Sequence, residues 1–303
     1  MSPNKWNIPD LGFGVGLRSV HYDYILEQNP AVDWFEIISE TYLESGGRVR
    51  YVLDKVAERY PVVLHGVSLS IGSHDPVNWE YLKLLKKLAE RVKAPYITDH
   101  LCWTGVNAHN VHDLLPIMFN EESLKHITSK VKQVMDFLER PFALENASTY
   151  VAFKGSTMSE WEFHARLMED TGCGMLMDVN NIYVSAYNHD FDPKIFIDAI
   201  PPEQICQYHL AGHTNKGTHI LDTHSDHVIE AVWELYRYAY QRTGGRATLL
   251  EWDEDIPEFD VVHQEALKAK KHRTEPNDFS NLLKKPQIAP TMHLTKVEMP
   301  EGK

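Results

Sequence analysis

Residues 61–65 read Pro61-Val62-Val63-Leu64-His65, an apolar run closed by one imidazole. Aliphatic and β-branched residues in a run too short for a helix indicate a strand buried on both faces. The same form recurs along the chain. APYITDH ends at His100, FALE at Glu145, MLMD at Asp178, ICQYH at His209 and ATLLE at Glu251. Together with two earlier candidates, the predicted strands are 12–17, 33–38, 61–65, 96–100, 141–146, 174–178, 206–210 and 247–251.

Helical patterns lie between them. Trp79–Val92 carries Tyr81, Leu82, Leu84, Leu85 and Leu88, and Glu122–Leu138 and Val228–Tyr240 read the same way. Ser159 followed by Glu162 is a capping-box signal for a helix over Ser159–Thr171. Strands alternating with helices indicate βα units and a parallel sheet, and about eight such units close a (β/α)₈ TIM barrel of roughly 250 residues. The barrel domain is expected over 1–272, with residues 264–272 finishing its last helix. From 273 to 303 the prolines Pro276, Pro286, Pro290 and Pro300 and the lack of periodicity predict an irregular, extended or disordered tail.

The chain has 303 residues, is 43% hydrophobic and carries a formal charge of −13, which disfavours a bulk electrostatic grip on nucleic acid. No apolar run is long enough to span a bilayer, and MSPNKWNIPD lacks a signal-peptide pattern. Three widely spaced cysteines point to neither a disulfide framework nor a thiolate zinc site. These features predict a cytoplasmic protein with no membrane or nucleic-acid partner.

In such a barrel the active site forms at the C-terminal ends of the strands, where the six terminal residues converge. His, Glu and Asp are ligands for hard or borderline metals. Two loop clusters fall on the same face: DVNN (178–181) with His189, and the stretch from His209 to His227, in which Asp222 and His224 are two apart. Taken alone, a histidine such as His65 is more often a hydrogen-bonded structural residue than a ligand, and Glu145 or Glu251 could cap a helix or pair with Arg. Jointly they place several carboxylates and imidazoles at one mouth, which without cations leaves costly unpaired charge. Two or three metals bridged by Glu145 or Asp178 are expected. Arg18 is expected near the mouth and Glu40 beside the substrate. His21, His74, His109, His112, His126 and His164 read as structural or surface residues, and Trp79, Trp161 and Trp233 as packing residues. The glycines of GFGVGLR (12–18) read as packing positions, because the Walker ending is missing.

At these residues the chain resembles the multinuclear non-heme iron-dependent oxidases that include the methanobactin-biosynthesis oxidase. The matching stretches are GVGLRSVHYDYIL, VDWFEIISETYLESGG, PVVLHGVSLSIGS, TDHLCW, ALENASTY, MDVNNIYVSAYNH, QYHLAGH and DTHSDH, spanning residues 12 to about 255. The resemblance implies a xylose-isomerase-like barrel, two or three irons in mixed Fe(II)/Fe(III) states, and O2 as cosubstrate. It implies modification of a ribosomally made precursor peptide, commonly at Cys, with a small leader-recognition partner protein encoded nearby. By position it assigns His65, His100, Glu145, Asp178, His209, Asp222, His224 and Glu251 as metal ligands, with Asn181, His189 and His213 at further motif positions. Glu145, Asp178 and His213 are the expected catalytic residues, and Arg18, Glu40, Asn146 and His189 the expected supporting or substrate-contacting ones.

Two other readings compete. Endonuclease-IV-type zinc phosphodiesterases share the ligand order but carry His where this chain has Asn181. A non-catalytic metal-binding protein predicts closed coordination and no turnover.

Overall fold

The computed structural model describes residues 6–107 and 109–274. Eight parallel strands close a barrel: β1 (Phe13–Gly16), β2 (Trp34–Ile38), β3 (Val62–Gly66), β4 (Ile97–His100), β5 (Phe142–Glu145), β6 (Gly174–Asp178), β7 (Ile205–Leu210) and β8 (Ala247–Leu250). Each pairs with its neighbours in chain order, and β1 pairs in parallel with both β2 and β8. The eight expected strands are therefore all present, with ends shifted by at most one residue.

Side chains two apart on a strand share a face. That period builds the barrel interior in layers. Trp34, Val63, Tyr96, Ala143 and Leu249 pack together at the lower end, with Ile8, Trp6 and Leu11 of the N-terminal segment against them. Two residues further up the same strands stand Glu36, His65, Thr98, Glu145 and Glu251. An apolar plug thus continues directly into a polar layer at the C-terminal mouth. Gly14 makes room for the plug, since a Cβ there would meet the Trp34 ring at 2.4 Å.

The outer helices bury one stripe each. Asn78 caps the helix Trp79–Val92 by accepting from Tyr81 N at 3.1 Å, and Leu82, Leu85, Leu88, Ala89 and Val92 face the core. Ser159 caps Glu160–Thr171 from Glu162 N, as its sequence signal predicts. Trp233 is buried and Trp161 partly so, whereas Trp79 is 43% exposed and meets Phe137 edge-on. Trp79, the first residue of its helix, packs on Phe137 with the rest of its ring in solvent.

The sequence reading put DVNN in a loop. Instead, Asp178 ends β6 and caps the helix Val179–His189 with no intervening residue. Two hairpins were also unforeseen, Trp103–Val106 with His109–Leu115 after β4 and Thr214–Asn215 with Ile220–Leu221 after β7. The last helix, Phe259–His272, reaches the expected domain end. Arg273 packs back on the barrel, its guanidinium 4.3 Å from the Phe13 ring centroid and donating to Tyr236 Oη at 2.9 Å. The rest of the expected tail, 275–303, lies outside the described residues. The three cysteines are buried and form no disulfide with one another.

Candidate metal centre

The strand-end residues converge as three linked donor groups: His65, His100 and Glu145; Glu145, Asp178, His209 and Glu251; and His224, Glu251 and Asp253. Within each group one donor atom per residue lies within 4.8 Å of the others. Glu145 belongs to the first and second groups, and Glu251 to the second and third. Glu145 Oε2 stands 3.2 Å from His65 Nε2 and 3.3 Å from His100 Nε2, while its Oε1 is 3.5 Å from His209 Nδ1. Glu251 Oε2 is 3.0 Å from His209 Nδ1 and 3.1 Å from His224 Nδ1. Asp222 Oδ1 lies 2.8 Å from His224 Nε2, and Asp178 Oδ2 3.8 Å from the same atom.

Supporting hydrogen bonds fix which imidazole nitrogen is available. Thr98 Oγ1 donates to Leu64 O at 3.3 Å, so it accepts from His65 Nδ1 at 2.8 Å and leaves the Nε2 lone pair facing Glu145. His100 Nδ1 donates to Gly66 O at 3.1 Å, with the same result. At His209 Nε2 the neighbours are the Glu36 carboxylate at 3.0 Å and the Gln207 amide nitrogen at 2.8 Å. Gln207 itself donates to the other Glu36 oxygen at 2.6 Å. Nε2–H can donate to Glu36, while Nδ1 faces the centre between Glu251 and Glu145. Donation of the second ring N–H to a carbonyl, hydroxyl or carboxylate is how metal-ligating histidines are held.

Asp178 is fixed through its backbone. Asn146 accepts from Asp178 N at 3.0 Å and donates to Asp178 O at 2.9 Å. Asp178 Oδ1 caps the following helix from Asn181 N at 2.6 Å, leaving Oδ2 for the centre. Asn181 donates to Asn146 O at 3.1 Å, and its Oδ1 accepts from Ser148 at 2.9 Å.

These residues fit a metal cluster by their unmet demands. Glu145 Oε1 and Oε2, Asp178 Oδ2 and His209 Nδ1 are buried without a hydrogen-bond partner among the described residues. Atoms of that kind at one point call for a cation. Burial pushes the Glu145 carboxyl up, but His100, His209 and His65 outweigh it and hold it at about 2. Asp178 goes the other way, raised by burial to about 8 despite His224. Burial disfavours charge on His209 and His224, yet the surrounding carboxylates raise both well above the ordinary imidazole value. The site therefore demands positive charge at its centre.

The other expected residues lie around this core. Arg18 binds Asp253 and reaches Glu251 Oε1 at 3.4 Å. Glu40 stands behind the wall, accepting from Val67 N at 3.0 Å and from the Tyr81 hydroxyl at 2.8 Å. His189 bonds Thr149 O at 3.0 Å, away from the donor groups. His213 also lies apart, stacked on Tyr183 and donating from Nδ1 to Asn180 Oδ1 at 2.7 Å. Asn180 in turn donates to Asp222 at 2.9 Å.

Glu36, Thr98, Asp99 and Asp253 escaped the sequence reading. Asp253 lies two residues past Glu251, so period-2 counting from that strand end would have found it. Asp99 is buried behind His100, bonded to its amide at 2.8 Å, and burial together with Glu40 raises it to about 7. A cavity of about 500 Å³ opens above the centre, between Val67 and Ser68 on one side and Asn110, His112 and Asp113 of the first hairpin on the other. His112 thus lines the mouth, from a surface hairpin. His21, His126 and His164 are structural, as expected: His21 and His126 bond main-chain carbonyls of Pro257 and Ser73, and His164 is buried against Phe196.

Fold and site define a xylose-isomerase-like TIM barrel with a polynuclear-type donor set at its mouth. Solved structures of D-psicose 3-epimerase from Clostridium cellulolyticum H10 and D-allulose 3-epimerase from Methylomonas sp. are similar in fold. Their TM-scores are 0.55 and 0.56 at 11% and 12% identity, over 86% and 88% of this chain and 97% and 98% of theirs. The model of the RiPP precursor modification enzymes MbnB/TglH/ChrH matches residues 12–274, and the chain belongs to that family. RiPPs are ribosomally synthesised and post-translationally modified peptides. Among full-length relatives, a UPF0276 protein from Anaeromyxobacter sp. strain Fw109-5 is 49% identical over 86% of this chain and 92% of its own. One from Caulobacter vibrioides is 48% identical over 82% and 89%.

Proposed function

We propose that this enzyme is a multinuclear non-heme iron-dependent oxidase that uses O2 to modify a ribosomally synthesised precursor peptide at cysteine. The observation that carries it is the sharing of Glu145 and Glu251 between adjacent donor groups, the arrangement that bridges neighbouring metal ions. Mixed imidazole and carboxylate donors suit iron in a redox site. At the position after β6, Asn181 offers an amide oxygen in place of the imidazole that a trizinc phosphodiesterase would use.

Bound iron would supply the redox chemistry that couples O2 reduction to oxidation of a peptide cysteine. The chain's own residues do the rest. His65, His100, His209, His224, Asp178, Asp222, Asn181, Glu145 and Glu251 would hold the ions, two or three of them. Thr98, Gly66 O and Glu36 lock the imidazole orientations, and Asn146 locks Asp178. His213 acts through Asn180 to hold Asp222. Arg18 balances Glu251 and Asp253 at the rim. The cavity admits an extended peptide segment, and a small partner protein presents the leader. No described helix is long and apolar enough to cross a bilayer.

The test uses protein purified without oxygen, analysed for iron, then given its precursor, its partner and O2. A mass change localised to a cysteine is expected. An unchanged peptide with iron-loaded protein overturns the oxidase reading. Zinc alone with nicking of abasic DNA would favour the phosphodiesterase.

A further inference from the structure

Lys130 belongs to the outer helix Glu121–Leu138, yet it is buried. Its Nζ donates to three main-chain carbonyls of a single loop, Ser73 O and Asp75 O at 3.0 Å each and Ser70 O at 3.4 Å. An ammonium has three donors, and here each has a backbone oxygen. Burying a charged amine is costly unless it is satisfied, so the loop and the lysine hold one another in a single geometry. His126, four residues earlier on the same helix, reaches Ser73 O at 2.9 Å from the same side.

The loop so held is the one after β3. Its first residues, Val67 and Ser68, line the cavity above the donor groups. Its later residues seat the hairpin that faces them. Gly72 N donates to Cys102 O at 2.9 Å, Thr104 N to Ser70 Oγ at 2.9 Å, and Ser73 Oγ to Gly105 O at 2.7 Å. The fit is close, because a Cβ at Gly72 would stand 2.8 Å from Ile117 Cδ1 and 3.0 Å from Cys102 O. That hairpin carries Asn110, His112 and Asp113 over the cavity. Lys130 touches none of the metal-type donors.

We infer that Lys130 is a positioning residue for substrate: it fixes the loop after β3 and, through it, the hairpin that walls the cavity. It governs how a peptide is bound without contacting peptide or metal. The substrate part of this inference rests on the peptide-modifying reading, whereas the coupling of loop to hairpin does not.

Lys130→Met in the full chain tests it by hydrogen exchange, metal analysis and turnover. Iron content and its Mössbauer signature should match the parent protein. Exchange across 68–75 and 101–106 should quicken roughly tenfold, as expected when a local lock is removed. With precursor, KM should rise roughly tenfold while kcat holds, the signature of lost positioning rather than lost chemistry. Unchanged exchange at 101–106 in a folded variant overturns the inference, as does a fall in kcat and iron with KM unchanged. Should Lys130→Met not fold, Ser73→Ala decides instead. It removes the bond to Gly105 O and the acceptor of Asp75 N but keeps the carbonyl that Lys130 binds, so faster exchange at 101–106 is expected and parent-like exchange there overturns the inference. A parent enzyme that turns over no peptide sinks the functional reading alone, because the exchange result still decides the lock.

Discussion

Glu145 and Glu251 meet at a single imidazole nitrogen, His209 Nδ1, at 3.5 Å and 3.0 Å. Beyond that nitrogen the two carboxylates diverge, Glu145 toward His65 and His100 and Glu251 toward His224. His209 is therefore the middle of a chain of donors, and the carboxylates are its links. Glu145→Gln keeps the shape but removes the anion shared by two of the three groups. The first group would be left with His65 and His100 alone, whereas Asp178, His209 and Glu251, and likewise His224, Glu251 and Asp253, would each keep three donors, so bound metal should fall by roughly one equivalent per chain. Elemental analysis with Mössbauer spectroscopy reads the result, and full stoichiometry in this variant would refute the bridging role.

Thr98→Val removes the acceptor of His65 Nδ1 while conserving volume. The imidazole loses the bond that aims Nε2 at Glu145, and a burden of about 10- to 100-fold in metal affinity or activity is expected from such a loss. Thr98→Ser should restore most of it. Metal-competition titration of the three proteins measures the order, and equal affinities would show that the hydroxyl does not set the ring.

Much of this was legible in the sequence. Strand after strand ended on a ligand-type residue, and because a strand repeats every two residues, six such ends fixed both the barrel and the polar layer. Asp222 and His224 were legible for the same reason, as a pair two apart. What stayed hidden needed a third dimension. Thr98 and Glu36 sit inside strands among apolar neighbours, and nothing local says that one meets His65 and the other His209. Asp178 read as the start of a polar loop, although its carboxylate also caps a helix, and a strand passing straight into a helix leaves no turn residues to mark it. His213 shared the right loop with the ligands, but it bonds Asn180 and meets the centre only through Asp222.

Gly66 gives a handle on His100, as Thr98 does on His65. A Cβ there would stand 2.1 Å from Asp99 Oδ2 and 2.9 Å from the Tyr81 hydroxyl, and Asp99 is fully buried with nowhere to move. Gly66 O is also the acceptor that orients His100. Gly66→Ala should cost about 1–3 kcal/mol in stability, the usual penalty of overpacking. It should also weaken the first donor group selectively. Urea unfolding and metal titration test both, and a protein of parental stability would mean that the loop yields more easily than its packing indicates.

Far from the centre, Glu160 and His164 form a pair whose titration shows in stability. Burial raises Glu160 to about 8 and lowers His164 to about 3. Glu160 keeps its proton in the folded protein where the unfolded chain has lost it. Its contribution is complete below the ordinary carboxyl value of 4.5 and is lost as pH rises toward 8. His164 works in the opposite sense, adding stability as pH rises from about 3 to 6.5, and it does so in parent and variant alike. Glu160→Gln mimics the protonated acid and cannot ionise. Its stability relative to the parent should therefore grow between pH 4.5 and 8 and then level off. The Glu160 side chain is 12% exposed, which trims the full shift to a gain on the order of 2–3 kcal/mol. Urea midpoints of both proteins at pH 5 and pH 8 measure it, and parallel curves would show that Glu160 ionises freely in the folded state.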